Sequence, residues 1–195
     1  MPKQTDNRYL DVKVRMRVEM AGNLGEPLCV MDLYHGAGHI WEAAREVVDV
    51  QEVLATDVSP RKSGTMKMPA LRAIRHFDLT RYNVFDIDSY GSAWPEYWLL
   101  CRRLAEGAGR RVAVAVTWGF FASGAGVASA VWEWLGVERR PGTGGLDAEQ
   151  RRTIGRLAIL RTWRPDGLLE FATDRQCYWA AVGNTGNMRG TQGEG

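Results

Sequence analysis

Lysine is scarce in this chain: four Lys stand against 21 Arg, and the formal net charge is only +2. So small a net charge does not by itself indicate nucleic-acid binding, whose electrostatic footprint is a concentrated basic patch. The arginine pairs Arg102-Arg103, Arg110-Arg111, Arg139-Arg140 and Arg151-Arg152 suit phosphate, because the planar guanidinium donates two parallel hydrogen bonds. A GC-rich gene would give the same arginine excess. Cysteine is equally sparse. Cys29, Cys101 and Cys177 are odd in number, widely spaced and without a C-x-x-C, which argues against a disulfide framework or a zinc-cysteine cluster, and all three are expected as buried thiols. No apolar run approaches the ~20 residues that a bilayer span needs, and the start MPKQTDNRYLD lacks the apolar segment of a signal peptide. No membrane association and a cytoplasmic location are therefore expected. There is no G-x-x-x-x-G-K-[ST] and no recognisable Ser-His-Asp spacing. Of the three histidines, His35 and His39 lie across a turn instead of along one helix face, so no metal site is expected.

What is present suits one well-filled soluble domain, expected over residues 1–184: 195 residues, 45% of them apolar, can bury a single core. Residues 28–33 form an apolar run of strand type, 35–38 a glycine turn, and about 39–48 a helix. A strand feeding a helix through glycines leaves free backbone N–H groups at the positive end of a helix dipole, which suits a polar or anionic cofactor group. Asp32, Gly36 and Gly38 make the pattern D-x-x-x-G-x-G. The next strand, residues 51–56, ends at Asp57, 19 residues after Gly38, where an acidic side chain can hydrogen-bond a ribose diol. The other reading of Asp57 is a turn or N-cap aspartate before Ser59-Pro60. In a nicotinamide Rossmann domain the third glycine of G-x-G-x-x-G allows close helix packing; here that position is Trp41, which argues against a dinucleotide.

Elsewhere, apolar residues at 12, 14, 16, 18 and 20 alternate with Lys13, Arg15, Arg17 and Glu19, a period of two that predicts an extra N-terminal strand at about 12–20 with one wet, basic face. Residues 59–64 read as a loop and 65–68 as a short strand. A helix is predicted from Pro69 to Phe77, a strand over 82–88, a helix over 96–106, a strand over 111–117 and a helix over 127–135. Asp147 can cap a helix reaching Trp163 with Ile154, Leu157 and Leu160 as its buried stripe. Residues 168–172 and 177–182 read as a closing hairpin. The stretch 185–195, rich in Gly, Thr and Asn, is expected to be a disordered tail.

This alternation resembles the class I S-adenosylmethionine (SAM) dependent methyltransferases. The resemblance covers roughly residues 28–183 and implies an α/β, Rossmann-like, doubly wound sheet of seven strands, mostly parallel with an antiparallel C-terminal hairpin. Many members carry an acidic residue after the third strand, facing the adenine; around Met68-Pro69-Ala70 there is none. The stretch Asp86-Ile-Asp-Ser-Tyr-Gly-Ser-Ala93 is more specific. It resembles the D/N-P-P-Y/F/W motif of amino-methyltransferases and the D-x-D-P-F-G-S-P of tRNA guanine N2,N2-dimethyltransferases, with Ser89 and Ala93 replacing two prolines. Serine is expected to leave that turn less rigid.

The resemblance implies SAM contacts from Asp32, Tyr34, His35, Gly36, Gly38, Asp57 and Asp86, with Asp88 and Tyr90 catalytic. Asp88 would accept a hydrogen of an exocyclic amine and localise its lone pair, while Tyr90 stacks on a flipped-out base. Ser89, Trp94 and Phe120 are substrate-binding candidates, Phe121 lies beside them, and Arg15, Arg17 and Arg61 could form a basic rim along a phosphate backbone. Core or lid packing is the other reading of Trp94, Phe120 and Phe121. The expected activity is methylation of an amino group of a nucleic-acid base, RNA before DNA because no segment is spare for a target-recognition domain. The alternatives are a protein or small-molecule methyltransferase and a non-catalytic SAM-binding scaffold.

Overall fold

The computed structural model describes residues 9–25, 27–89, 91–119, 147–173 and 176–189. Its centre is a sheet of β1 (Leu28–Asp32), β2 (Val50–Asp57), β3 (Met66–Lys67), β4 (Val84–Asp88), β5 (Arg111–Gly119), β6 (Gly167–Ala172) and β7 (Gln176–Asn184), in the order β3-β2-β1-β4-β5-β7-β6. β1 to β5 are parallel, and β7 runs antiparallel between β5 and β6. The near-continuous apolar runs of β1, β4 and β5 are those of strands covered on both faces. On one face α3 (Ala70–His76), α4 (Trp94–Ala105) and α5 (Ala148–Thr162) cover Met31, Leu33, Phe85, Ile87, Val114 and Val116. On the other, α1 (Leu10–Leu24) and α2 (His39–Ala44) cover Leu28, Val30, Val84, Ala113, Ala115 and Tyr178. Because side chains alternate along a strand, Phe85 and Ile87 go to the α4 face while Asp86 and Asp88 go to the α1 face.

The N-terminal strand expected at about 12–20 is instead the helix α1. Its apolar positions 12, 16 and 20 fit a period of two and a helical i, i+4 spacing alike, and only the helix also buries Lys13, Arg17, Ala21 and Leu24. Arg15 stays exposed, so the supposed single basic face is split between core and solvent. α1 ends where Gly25, at φ 73°, donates its N–H to the Ala21 carbonyl at 3.2 Å, the left-handed cap that glycine adopts without strain.

Three further expectations need adjusting. The helix after the glycine turn is regular only over His39–Ala44 and then loosens into turns. In α5, Asp147 and Gln150 form the reciprocal capping box, but Leu157 and Leu160 are 51% and 42% exposed. The buried stripe is Ile154, Gly155, Ala158, Ile159 and Thr162, because Gly155 lies directly on the Trp179 indole and turns the small side chains inward. The tail is ordered at its start: Thr185–Asn187 is a 3-10 turn and Met188 bridges to Trp163. The helix expected at 127–135 lies outside the described residues, as do Asp174 and Arg175 of the hairpin turn. Cys101 and Cys177 are buried, and Cys29 partly so; all three are free thiols. Burial pushes the Cys101 and Cys177 thiols up to about 12.

Gly155 gives a direct test of the packing. A Cβ there would overlap the Trp179 ring, so Gly155→Ala should destabilise the protein by about 1–3 kcal/mol in urea denaturation despite the gain in helix propensity. A neutral or stabilising result would show that α5 does not sit on Trp179.

Candidate functional site

Three aspartates come together at the carboxyl ends of β1 and β4. Asp32 and Asp86 are register partners, and Asp88 follows two residues on, on the same face. All are almost wholly out of water, where an ionised carboxylate is costly unless paired. Their partners come from α1, α2 and the glycine turn. Arg17, 1% exposed, donates to Asp86 through both arms, Nη2 to Oδ1 at 2.6 Å and Nε to Oδ2 at 3.0 Å, and the indole Nε1 of Trp41 donates to Asp86 Oδ2 at 2.9 Å. Asp86 thus takes three protein donors, and its charge is matched by Arg17 in a buried pair.

Asp88 differs. Lys13 Nζ lies 2.7 Å from Oδ2, while Oδ1 is buried with no hydrogen-bond partner among the described residues. Burial opposes its charge, but the Lys13 ammonium and the Arg17 guanidinium outweigh it and hold the carboxyl below the ordinary aspartate range. Across the β4-β5 register stands Thr117. Its hydroxyl is close enough to favour the charged carboxylate yet outside hydrogen-bond geometry, and it too lacks a partner among the described residues. Next in register is Tyr178, whose ring lies 5.8 Å from Lys13 Nζ.

Asp32 organises the glycine turn. Its Oδ1 accepts the Tyr34 N–H at 3.2 Å and its Oδ2 lies 2.8 Å from His35 Nδ1. Burial pushes the Asp32 carboxyl up to about 6, against the opposing effect of the His35 hydrogen bond and with the Asp86 charge adding to the rise. Asp57 accepts the Gly36 N–H at 3.0 Å and the Ser59 N–H at 2.7 Å, so it is at once the turn aspartate and a carboxylate beside the glycines. Gly36 and Gly38 have φ of 55° and 82°. A Cβ on Gly38 would lie 2.7 Å from His35 Nε2 and 2.9 Å from Lys62 Cδ, so both conformation and space require glycine there. His39 sits half-exposed, facing Glu42. Among the described residues no three His, Cys, Asp or Glu side chains converge as a metal site.

Ser89 stands where the motif has its first proline; its Oγ donates to the Gly91 carbonyl at 3.0 Å, and Gly119 N–H donates to the same carbonyl at 3.2 Å. Its hydroxyl is therefore occupied by the backbone. Trp94 is fully buried between Tyr97, Trp118 and Trp179, with ring centroids 5.6 to 5.8 Å away; it belongs to the core, not to a pocket wall. Arg17 is likewise removed from the supposed basic rim. Tyr90, Phe120 and Phe121 lie outside the described residues.

Sequence reasoning missed Lys13, Arg17 as a carboxylate partner, Thr117 and Glu96. Glu96, in the first turn of α4, accepts the Tyr34 hydroxyl at 2.9 Å. Burial, with the Glu96 and Asp57 charges behind it, raises the Tyr34 phenol well above its usual range, so it remains a donor. Two carboxylates in a D-x-D were a visible signal that cations should be sought; nothing local singled out Glu96.

The strand order, with one antiparallel strand inserted next to the edge, is that of the class I methyltransferase fold. Similar solved structures agree. Trm1 from Pyrococcus horikoshii, in complex with S-adenosyl-L-methionine, superposes with a TM-score of 0.63 at 17% identity over 92% of this chain, which spans 56% of that one. The 1,6-didemethyltoxoflavin-N1-methyltransferase of Burkholderia thailandensis, with bound 1,6-didemethyltoxoflavin and S-adenosylhomocysteine, superposes with a TM-score of 0.52 at 13% identity over 92% of this chain and 80% of its own. No protein-family model matches the sequence, and no curated protein matches it.

The Arg17 pair should be indispensable to stability once Asp86 is buried. Arg17→Met leaves that carboxylate with the Trp41 indole as its one remaining side-chain donor and should cost about 3–5 kcal/mol in urea denaturation. A loss below about 1 kcal/mol would mean the pair is solvated.

Proposed function

We propose that this chain is a SAM-dependent methyltransferase acting on an exocyclic amino group of a nucleic-acid base, RNA before DNA. The observation that carries the reaction type is Asp88: an ionised carboxylate at the end of β4 with one oxygen fixed by Lys13 and the other buried and unpartnered. The fit of the cofactor rests on the turn. Gly36 and Gly38, at φ of 55° and 82°, hold the turn in a conformation that side chains rarely adopt, Asp32 presents an acidic group to a cationic ligand arm, and Asp57 lies beside Gly36. Bound SAM would supply a methyl group on a sulfonium, leaving as a neutral thioether when the C–S bond breaks.

The chain's own residues prepare the acceptor. An exocyclic amine is a poor nucleophile because its lone pair is delocalised into the ring. Asp88 Oδ1, accepting one N–H, lets that lone pair localise on nitrogen as the N–C bond forms. Lys13 keeps Asp88 ionised at neutral pH, so it acts first as a hydrogen-bond acceptor. The methylated nitrogen, transiently cationic and strongly acidic, then loses its proton to Asp88 or through it to water. Positioning by the Ser89 turn supplies orientation, and Tyr90 remains the candidate for stacking on the base. The resemblance of Asp86-Ile-Asp-Ser-Tyr-Gly-Ser-Ala93 to the motif of tRNA guanine N2,N2-dimethyltransferases supports an RNA substrate. A second reading, a small-molecule amine, is favoured by the burial of Arg17 and Lys13 against carboxylates, which removes two cations from any phosphate-binding face.

With methyl-labelled SAM and total RNA, DNA, protein and small-molecule fractions, label should enter RNA, be lost on nuclease treatment and fall with rising salt. Asp88→Ala should reduce transfer at least ~100-fold while leaving cofactor affinity within about twofold. Label confined to the nuclease-resistant fraction would overturn the nucleic-acid reading. A separate check uses Asp32. Its carboxyl, raised to about 6, is neutral below that pH and ionised above it, so affinity for SAM should increase several-fold between pH 5 and 7. Asp32→Asn should flatten the rise; an unchanged profile would remove Asp32 from the cofactor site.

A further inference from the structure

We infer that Thr117, near the end of β5, is a specificity-determining residue whose hydroxyl donates to the ring nitrogen beside the amino group being methylated; this rests on the methyltransferase reading above. Thr117 is wholly out of water, and its Oγ1 has no hydrogen-bond partner among the described residues. A buried hydroxyl with nothing to donate to is costly. Thr117 is the register partner of Asp88. Ala113 and Ala115 face α1, so the alternation of side chains along β5 puts Thr117 on that face too, the face to which Asp88 points.

The neighbouring groups are already engaged. Lys13 occupies Asp88 Oδ2 at 2.7 Å, and Tyr178, next in register, donates its hydroxyl to Gln176 Oε1. What remains in the row is one acceptor, Asp88 Oδ1, and one donor, Thr117 Oγ1. They stand on adjacent strands, which lie about 5 Å apart, yet outside hydrogen-bond geometry with each other. A planar group with a donor and an acceptor on neighbouring atoms fills both. An amino-bearing ring carbon next to an unprotonated ring nitrogen has that edge: the amine N–H goes to Asp88 Oδ1, and the in-plane lone pair of the ring nitrogen accepts from Thr117. An alkylammonium has donors only and would leave the Thr117 hydrogen unplaced. The two roles differ. Asp88 meets the reacting nitrogen, whereas a bond to the ring nitrogen draws electron density away from the amine, so Thr117 serves orientation instead of activation. With two anchors the ring plane is fixed, and with it the direction of the amine lone pair.

The test uses synthetic RNA oligomers spanning the labelled site, with the target base intact or as its deaza form (1-deaza-adenine, 3-deazacytosine or 3-deazaguanine), in which CH replaces the ring nitrogen beside the amine. The wild type should show a KM about tenfold or more higher for the deaza oligomer. Thr117→Val keeps the shape without the hydroxyl. It should raise KM for the intact oligomer by a similar factor with kcat within about threefold, and lose nothing further on the deaza oligomer. Its stability in urea should equal or exceed that of the wild type, because an unfilled buried hydroxyl is removed. Thr117→Ser should keep the preference for the intact base. A Thr117 that only holds Asp88 ionised would give a different result: Thr117→Val would move the pH dependence of transfer upward equally for both oligomers and keep the deaza penalty. That result, or equal wild-type KM values for the two oligomers, would overturn the assignment while leaving the methyltransferase reading intact. Absence of transfer to any RNA would overturn the nucleic-acid reading and the assignment together.

Discussion

Arg17 reaches from the middle of a helix into the middle of a strand and donates to both oxygens of Asp86, where Trp41 of a second helix also donates. One carboxylate thereby ties α1, α2 and the sheet together. The geometry is bidentate and fully desolvated, the case in which an ion pair cannot be disturbed singly without leaving a buried charge. Apolar contacts of Met16, Met20 and Leu24 hold α1 to the sheet, but they fix neither its rotation nor its height along the strands. The pair does both, and so it sets where Lys13, one turn earlier, meets Asp88.

Around that pair the charges form a connected set. Asp32, Asp86 and Asp88 repel one another, and Arg17 feels all three. The two cations are unevenly placed: Arg17 and Lys13 serve the β4 carboxylates, while among the described residues the ion-pair partner of Asp32 is His35. The consequence is a divergence of otherwise similar groups. Asp88 is held below its ordinary range and Asp32 is pushed up to about 6. Environments that separate like groups in this way are how a site assigns different tasks to the same residue type.

Much of this was legible in the sequence because it is locally encoded. The strand runs at 28–33, 51–56 and 111–117, the glycine turn, the Asp147 cap and the closing hairpin all carry their signal within a few residues. α1 was not legible, because positions 12, 16 and 20 satisfy both a strand and a helix, and the deciding contacts of Lys13 and Arg17 lie some 70 residues away. The same non-locality hid Glu96, whose partner is Tyr34, and misled the stripe on α5, where a glycine against Trp179 outweighed two leucines. Ser89 shows the converse: in place of the lost proline, its hydroxyl makes a local bond to the Gly91 carbonyl that proline could not make.

That turn matters because the chain changes faces there. Asp88 points to the α1 side of the sheet, and a few residues later α4 begins on the other side and brings Glu96 against Tyr34. Between them, the Gly91 carbonyl accepts from Ser89 Oγ and from Gly119 at the end of β5, which anchors the crossing to a neighbouring strand. A displacement of the turn would therefore move Asp88 relative to Lys13 and Thr117 and move Glu96 relative to the glycine turn at once. Among the described residues Asp88 and Glu96 each keep one buried oxygen without a hydrogen-bond partner, and the chain passes from the α1 side of the sheet to the α4 side between them, so the two carboxylates belong to opposite faces of one strand-to-helix crossing.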